Sequence, residues 1–372
     1  LSGVEGVVDG VLQARVRSDA QAWLGVSGVA SSGYTAMLSR LSGGDAALSG
    51  RLVLRPGVEL VHSTGNIRFA TDWDLSGQRF GPLGSPGVLT VRAAGNVSME
   101  SGGLSDGFNS AAYTAVLQAP NSQLPLNVQS WSYRIVAGSD GSSVDLLRTV
   151  AGGTGSLLLG KDGGANIALR PSLGSGATSA SAISGRFQVI RTGSGEIDVR
   201  AAGDVRFLNP FAAIYSAGVR VAEPTRILQA GGFDLPVLRI LGTQGTLGAV
   251  PWLAPAQYAL SGGDVSVSAG NDVVRLTLNS AGKPIADSSR QLPMNWLYRR
   301  GLVDPSTGTW GTGDGGDAAS TTWWVDYSNF FQSIGALGGG NVRIQAGRDM
   351  MNVDGVVPTN ARMAKGAPSL DR

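Results

Sequence analysis

EIDVRAAGDVRF, at positions 196–207, is the stretch of this sequence that decides the fold. Apolar and polar residues alternate along a short strand, an Ala-Ala-Gly-Asp corner follows, and a second short strand begins. Alternation places Val199 on one face of its strand, and small residues with Gly and Asp or Asn tolerate the left-handed backbone of a tight corner. The same pattern recurs in VELVHSTGNIRF (58–69), VLTVRAAGNVSM (88–99), DVSVSAGNDV (264–273) and NVRIQAGRDM (341–350).

The spacing of these copies points to a repeat architecture. The last apolar residues of their first strands are Val61, Val91, Val199, Val267 and Ile344, which lie 30, 108, 68 and 77 residues apart. These intervals suggest multiples of a coil of roughly 20–30 residues. Parallel strands stacked at ~4.8 Å per coil would give about a dozen coils and a rod on the order of 60 Å long. The sequence therefore predicts an all-β fold, a right-handed parallel β-helix.

Several stretches interrupt the pattern. Gly, Ser and Pro enrichment at 120–128, 171–184 and 281–317 predicts loops extruded from the coils. A short helix is predicted at 323–337, because apolar residues there fall at helical spacing and three glycines follow. We therefore expect one domain over 1–357 with an aromatic-rich insertion at 281–338, and a linker or tail at 358–372.

Composition excludes several classes of function. The 29 basic and 27 acidic residues leave a formal net charge of +2, which favours neither nucleic acid nor an anionic membrane as a partner. The chain has no cysteine, so disulfides, iron–sulfur clusters and thiolate zinc sites are excluded. The 56 glycines follow no three-residue period, which excludes collagen. We predict no cofactor and no metal.

The sequence carries no recognisable targeting segment. Neither a basic region with a following apolar stretch at the start nor an apolar run of about 18 residues is present. We therefore expect no transmembrane segment in this piece. We interpret the chain as an internal part of a longer polypeptide whose export signal lies elsewhere.

These stretches, with others, resemble the filamentous haemagglutinin family of two-partner-secreted exoproteins, in a C-terminal region of unassigned function. The resemblance covers most of the chain and weakens before about residue 45 and after 360. LSDGF, WSYR and RTGSG in that order are its more specific features. It rests on LRPGVEL (54–60), TDWDL (71–75), VLTVRAAGNVSMESGGLSDGF (88–108), SWSYRIVAGSD (130–140), RTGSGEIDVRAAGDV (191–205), IYSAG (214–218) and GGGNVRIQAGRDM (338–350).

The resemblance implies a secreted protein at the surface of a Gram-negative bacterium. Such proteins leave through an outer-membrane barrel transporter, fold as β-helices at the cell surface, and act in attachment, biofilm formation or contact-dependent competition. The expected partners are that transporter and a host or bacterial surface ligand, such as a glycan. The resemblance carries no residue-level function for this region.

Three motifs superficially suggest enzyme chemistry. GSLLLGKD (155–162) approaches a phosphate-binding loop, but Asp162 stands where Ser or Thr would bind Mg²⁺. GTGDGG (311–316) fits a dinucleotide fingerprint without a preceding strand or a following helix. In GLSDG (103–107), Ser105 resembles a serine nucleophile, but the single histidine, His62, lies upstream, and we interpret His62 as a surface or turn residue.

Carboxylates offer a catalytic alternative, because parallel β-helices also serve as polysaccharide lyases and hydrolases. Asp72 and Asp74 would share one face of a strand and could hold Ca²⁺ or act as acid and base on a glycan, with Arg68 or Arg79 as a basic partner in the catalytic case. The favoured alternative is a turn in which an aspartate caps backbone N–H groups. The corner residues Asn96, Asp204, Asn271 and Asp349 are predicted to form side-chain hydrogen bonds along the stack.

Aromatic residues near the C-terminus offer a second alternative, a glycan- or haem-binding module. The binding candidates are Trp296, Tyr298, Trp310, Trp323, Trp324 and Tyr327. The favoured interpretation is that this aromatic mass covers apolar surface on the flank of the coils. The leading hypothesis is accordingly a non-enzymatic structural and adhesive segment, a stiff rod that mediates attachment or cell–cell and biofilm interaction.

Overall fold

The computed structural model of the chain describes most of the sequence, with gaps. The described residues are 5–100, 103–108, 124–160, 188–208, 212–220, 257, 259–279, 284–286, 296–300, 302–303, 310–311, 322–325, 327, 330–358, 361–364 and 367–370.

The described elements are mainly short strands. The helices are α1 (Gly10–Leu24), α2 (Ser32–Ser42) and α3 (Ala46–Ser49). The strands are β1 (Glu5–Val8), β2 (Gly57–His62), β3 (Asn66–Phe69), β4 (Trp73–Asp74), β5 (Val88–Ala93), β6 (Val97–Met99), β7 (Leu104–Ser105), β8 (Ser132–Ala137), β9 (Leu157–Leu159), β10 (Val189–Thr192), β11 (Ile197–Ala201), β12 (Val205–Phe207), β13 (Ala213–Ser216), β14 (Val219–Arg220), β15 (Ala259–Leu260), β16 (Val265–Ala269), β17 (Val273–Leu278), β18 (Pro284–Ala286), β19 (Leu297–Arg300), β20 (Leu302–Val303), β21 (Trp310–Gly311), β22 (Thr322–Val325), β23 (Ser333–Ala336), β24 (Val342–Ala346), β25 (Met350–Met351), β26 (Gly355–Val356), β27 (Ala361–Ala364) and β28 (Ala367–Leu370).

Three long parallel sheets organise the chain. Sheet I orders its parallel strands β1-β3-β6-β9-β12-β17-β25, and β18 pairs antiparallel with β17. Sheet II runs β2-β5-β8-β11-β16-β24, and sheet III runs β4-β7-β10-β13-β23-β26. From β2 onward the described chain passes through sheet II, then sheet I, then sheet III, six times in succession. We call each passage a circuit; every strand pairs in parallel with its counterpart in the next circuit.

The register of sheet II builds one column of the core. Leu60, Val91, Ile135, Val199, Val267 and Ile344 are successive Cα partners. Inward residues of all three sheets form one apolar cluster, in which Ile67 of sheet I and Ile190 of sheet III are fully buried. The fold is therefore mostly β, with a core between parallel sheets that continues from circuit to circuit.

The corner between sheets II and I carries a hydrogen-bond ladder, which we call the corner ladder. Each corner residue accepts through its side chain the backbone N–H of the corner residue in the next circuit. The series is Asn66 Oδ1 to Asn96 N (2.8 Å), Asn96 Oδ1 to Ser156 N (2.8 Å), Ser156 Oγ to Asp204 N (2.9 Å), Asp204 Oδ1 to Asp272 N (3.2 Å) and Asp272 Oδ1 to Asp349 N (3.1 Å). The predicted side-chain ladder exists, but Asp272, not Asn271, occupies the corner position.

The predicted spacing needs two corrections. Leu60, rather than Val61, is the partner of Val91, and Ile135 supplies a member that the repeat search missed. The column members are 31, 44, 64, 68 and 77 residues apart, and each interval is one circuit. The coil of roughly 20–30 residues is therefore wrong as a constant period, because insertions of different lengths separate the strands. Six circuits, instead of about a dozen, account for the described sheets.

The predicted helix at 323–337 is wrong. The described part of that range contains β22, which pairs antiparallel with β19, and β23, which continues sheet III. β-Branched and aromatic side chains in Thr322–Val325 favour a strand. In β23, Ile334 and Ala336 point into the core, which is the period of a strand.

The predicted all-β class also needs correction, because helices α1–α3 precede the first circuit. Asp9 caps α1 by accepting Leu12 N at 2.9 Å, and Ser31 caps α2 by accepting Tyr34 N at 3.0 Å. Gly25 and Gly43 end these helices with positive φ values of 88° and 61°. Leu12, Val16 and Ala20 of α1 pack against the core, so the helix covers the end of the stack.

The predicted loops are described only in part. The stretch 171–184 lies outside the described residues, and 120–128 is described from Leu124 onward. Within 281–317, the described residues include strands β18–β21. Strand β18 pairs antiparallel with β17, β19 with β22, and β20 with β21. In the tail at 358–372, β27 and β28 pair antiparallel.

We expect the corner ladder to contribute measurably to stability. Replacing Asn96 with Ala leaves the Ser156 N–H without its acceptor, which should lower the free energy of unfolding by about 1–2 kcal/mol. Urea denaturation measures the change. Asn96→Asp is the matched control, because its carboxylate keeps an acceptor oxygen at the same position. A loss in Asn96→Asp equal to that in Asn96→Ala would contradict the role of the ladder.

Candidate functional site

The two aspartates of TDWDL lie at the start of sheet III. Between them, Trp73 is buried in the core, so the alternation of β4 turns both carboxylates outward. Asp72 Oδ1 accepts Gly103 N at 2.7 Å, and Asp74 Oδ1 accepts Ser76 N at 2.9 Å. Each therefore caps a backbone N–H group, Asp72 in the next circuit and Asp74 in its own turn.

Arg79, one predicted basic partner of these aspartates, is engaged elsewhere. Its Nη2 lies 3.0 and 3.1 Å from the two carboxylate oxygens of Asp106 and 3.0 Å from Gln129 O. Its Nη1 donates to Leu75 O at 2.9 Å. The other predicted partner, Arg68, lies on β3 in sheet I. The described contacts of Arg79 thus build a buried ion pair and no acid–base set with Asp74.

Asp106 is the most deeply buried acidic group in this region, with no exposed surface. It also accepts Trp131 N at 2.6 Å, so one carboxylate joins the turn after β7 to the segment that leads into β8. Burial raises the pKa of Asp106, while the Arg79 charge and the Trp131 N–H act in the opposite direction. In the sequence, Asp106 is recognisable only as a member of the GLSDG motif, and its partners Arg79 and Trp131 lie 27 and 25 residues away.

Ser105, the predicted nucleophile candidate, contacts an arginine. Its Oγ accepts Arg191 Nε at 2.8 Å, and Arg191 Nη1 donates to Tyr215 Oη at 3.3 Å. The guanidinium lies 3.9 Å from the centre of the Phe108 ring, in a cation–π contact. His62 ends β2 in sheet II and is 2% exposed, so its interpretation as a surface or turn residue is wrong.

The two nucleotide-like motifs fall partly outside the described residues. In the motif at 155–162, Leu157–Leu159 form strand β9 of sheet I, whereas a phosphate-binding site would require a loop there. Positions 161–162 lie outside the described residues. In 311–316, only Gly311 is described, at the end of β21.

The aromatic candidates that can be placed cover the outer face of sheet III. Trp296 and Tyr327 are each 1% exposed, in a second apolar cluster with Tyr215 and Phe330. Tyr215 and Tyr327 stack at 6.2 Å between centroids, and Trp296 meets Phe330 edge-on at 5.0 Å. Tyr327 Oη donates to Ala217 O at 2.8 Å, and burial raises the pKa of this phenol well above its usual value.

The remaining candidates are described through their backbones. Tyr298 and Trp324 are opposite each other in the β19–β22 pair, in which Trp323 is also a member, and Trp310 lies in β21. Trp296 and Tyr327, the two candidates whose side chains are described, therefore belong to a buried flank of sheet III.

Two surface depressions lie beside α1. An apolar groove of about 590 Å³ separates α1 from β2 and the segment before it. A polar pocket of about 360 Å³ lies between α1 and the turn after β4, and it is lined by Gln13, Arg17, Gln21, Asp74 and Gln78, among others. Among the described residues, no group of three or more His, Cys, Asp or Glu side chains could hold a metal ion. None of the helices in the described ranges is long and apolar enough to cross a membrane.

Comparison of the chain with protein-family models, with curated proteins and with solved structures gives no match.

We expect the Arg79–Asp106 pair to behave as a buried ion pair. Arg79→Met leaves the carboxylate without its counter-charge and should cost about 3–5 kcal/mol at neutral pH, while Arg79→Met with Asp106→Asn should recover part of that loss. In Arg79→Met the folded-state pKa of Asp106 lies above its unfolded value. The part of the loss that comes from the unpaired carboxylate should therefore be absent below about pH 4 and should appear as the pH rises through the folded-state pKa.

Denaturant unfolding from acidic to neutral pH measures these changes, with Arg15→Met as the control, because Arg15 is an exposed arginine in a 4.0 Å surface pair. A single substitution at Arg79 that is no more destabilising than the control at any pH would contradict the buried-pair interpretation.

Proposed function

We propose that the chain is a right-handed β-solenoid segment of a large secreted bacterial surface exoprotein, with a structural and adhesive role and no enzymatic activity. The observation that carries the proposal is the repetition of six circuits in parallel register with a continuous core and a corner ladder. Such a stack is stabilised by nearest-neighbour contacts and suits a stiff spacer. The right hand follows the strong preference of parallel crossover connections.

The polar groups that suggested chemistry support this proposal through their contacts. Asp72 and Asp74 bind backbone N–H groups, and Asp106 binds Arg79. Ser105 accepts from Arg191. These contacts belong to turns and packing, which supports a structural role for these side chains.

The resemblance of the sequence to filamentous haemagglutinins supports the cellular setting. We infer secretion to the surface of a Gram-negative bacterium, an outer-membrane barrel transporter as the export partner, and a host or bacterial surface ligand as the adhesion partner. Attachment and biofilm or cell–cell interaction are then the processes that the rod serves.

We expect fluorescently labelled chain to bind saturably to bacterial or epithelial cells and to be displaced by unlabelled chain. The same preparation should release no reducing ends from bacterial or host polysaccharides. Asp72→Asn with Asp74→Asn should leave polysaccharides intact as well, because both side chains accept backbone N–H groups and have no role in cleavage under this proposal. Folded chain without saturable binding would contradict the adhesive role. Polysaccharide cleavage lost in this double variant would contradict the absence of an active site.

Glycan recognition is a second candidate function, favoured by the polar pocket beside α1. Arg17, Gln21 and Asp74 supply donors and acceptors of the kind that bind sugar hydroxyl groups. A glycan-array signal of the wild-type chain should be weakened by Arg17→Ala. The control Arg15→Ala, on the same helix and outside the pocket lining, should leave it unchanged. Equal signals from both variants would remove this pocket as the glycan site.

A further inference from the structure

The polar pocket between α1 and the turn after β4 is lined by two rows of α1 residues. Residues four positions apart lie on the same face of a helix, so each row runs along the pocket. One row has small side chains, which leave space beside the helix, and the other has long polar side chains. The small row is Gly10, Ala14 and Ser18, and the polar row is Gln13, Arg17 and Gln21. The volume of about 360 Å³ suits a small ligand.

The opposite wall of the pocket is the turn after β4, which is held by hydrogen bonds. Gln13 Nε2 donates to Asp74 O at 2.8 Å and ties the helix to the turn. Asp74 Oδ1 accepts Ser76 N at 2.9 Å within the turn. Trp131 Nε1 donates to Gln78 O at 2.9 Å and fixes the end of the turn. The pocket is therefore organised before a ligand binds, which lowers the entropic cost of binding.

Arg17 is the basic residue of this lining. It is exposed and forms no ion pair or hydrogen bond with a described residue, whereas Arg15 of the same helix lies 4.0 Å from Asp19. A guanidinium group presents parallel N–H groups that match the two oxygens of a carboxylate. One guanidinium also balances the single charge of a carboxylate. A phosphate group, with a charge of about −1.5 to −2, would leave excess negative charge beside Asp74.

The turn supplies hydrogen-bond acceptors to the same pocket. Gln78 is 4% exposed, and its Oε1 is a buried atom without a hydrogen-bond partner among the described residues. A hydroxyl group that reached this oxygen would supply the missing hydrogen bond. Asp74 adds a carboxylate, which accepts strong hydrogen bonds from hydroxyl groups. The lining thus combines a partner for one carboxylate with acceptors for hydroxyl groups.

We propose that this pocket binds a sugar unit that carries a carboxylate, the chemistry shared by uronic acids of polysaccharides and sialic acids of glycoproteins. Arg17 pairs with the carboxylate of the sugar, and Asp74 and Gln78 accept hydrogen bonds from its hydroxyl groups. The proposal rests on glycan recognition by this pocket, the second candidate function above, and names the class of its ligand.

Saturation-transfer NMR on the full chain distinguishes the sugar classes. The acidic probes are 3′-sialyllactose and a tetrasaccharide of alternating glucuronate and N-acetylglucosamine, and the neutral probes are lactose and an N-acetylglucosamine tetramer. At least one acidic probe should bind about tenfold more tightly than its neutral counterpart, because the neutral sugar lacks the partner of Arg17. Binding of sialyllactose alone would assign sialic acid, and binding of the glucuronate probe alone would assign uronic acid.

Two variants separate the charge from the shape of the pocket. Arg17→Gln should weaken binding of the acidic probe about tenfold, whereas Arg15→Gln should not, because Arg15 lies outside the lining. Ala14→Leu should abolish binding by filling the space beside the small row. Its matched control is Ala22→Leu, at an exposed position of α1 outside the lining, which should leave binding unchanged.

The possible failures are distinguishable in chain whose circular dichroism and cooperative melt show that it is folded. Neutral probes that bind as tightly as the acidic ones, with a loss in Ala14→Leu and none in Arg17→Gln, would overturn the carboxylate class and leave glycan recognition by the pocket intact. Binding that Ala14→Leu does not change would exclude the pocket as the site. No binding of any probe would overturn this proposal together with the glycan recognition on which it rests.

Discussion

Parallel stacking in register is the constraint on which the rest of this structure depends. Because Val91 lies directly between Leu60 and Ile135, the side chain chosen at one position must fit its equivalents in the circuits before and after. A shift of one residue would turn the apolar face of a strand outward. The corner ladder fixes the same register through polar atoms, since each corner side chain binds the N–H group of the next corner. Apolar packing and hydrogen bonding thus select one alignment.

This constraint explains which parts of the fold could be predicted from sequence. Alternation followed by a small-residue corner located five of the sheet II strands and the inward faces of four of them. The predicted register of β2 is wrong by one residue. Either Val61 or its neighbours Leu60 and His62 could face the core from the sequence pattern, and in the structure Leu60 and His62 are the buried ones. Likewise, Asn271 and Asp272 are both corner-type residues, and only the pairing of β17 with β12 distinguishes them. The strand with Ile135 does not show the repeat pattern in the sequence, because a long insertion separates β8 from β9.

Other features required knowledge of long-range contacts. The helical caps Asp9 and Ser31, each with a later glycine, were readable signals for α1 and α2, but the search for β repeats did not use them. Arg191 and Arg275 are different. Strand alternation assigns Arg191 to the outer face of sheet III, where an exposed position is the default. Arg191 is buried because it contacts Phe108 and Tyr215. Arg275 is buried because its guanidinium donates to the carbonyl groups of Ala212 and Phe331. Sequence spacing alone does not predict such distant partners.

The same constraint limits where recognition can evolve in this fold. An inward residue of a middle circuit has equivalents on both sides, so a change there must be matched by two neighbours. The end of the stack is less restricted, because a residue such as Leu60 has a parallel partner strand on one side only in the described sheet. Helix α1 covers this end, because Leu12, Val16 and Ala20 pack against the core and Gln13 Nε2 donates to Asp74 O. The apolar face of this helix therefore has to match one neighbouring circuit in the described structure, whereas each middle circuit has to match two.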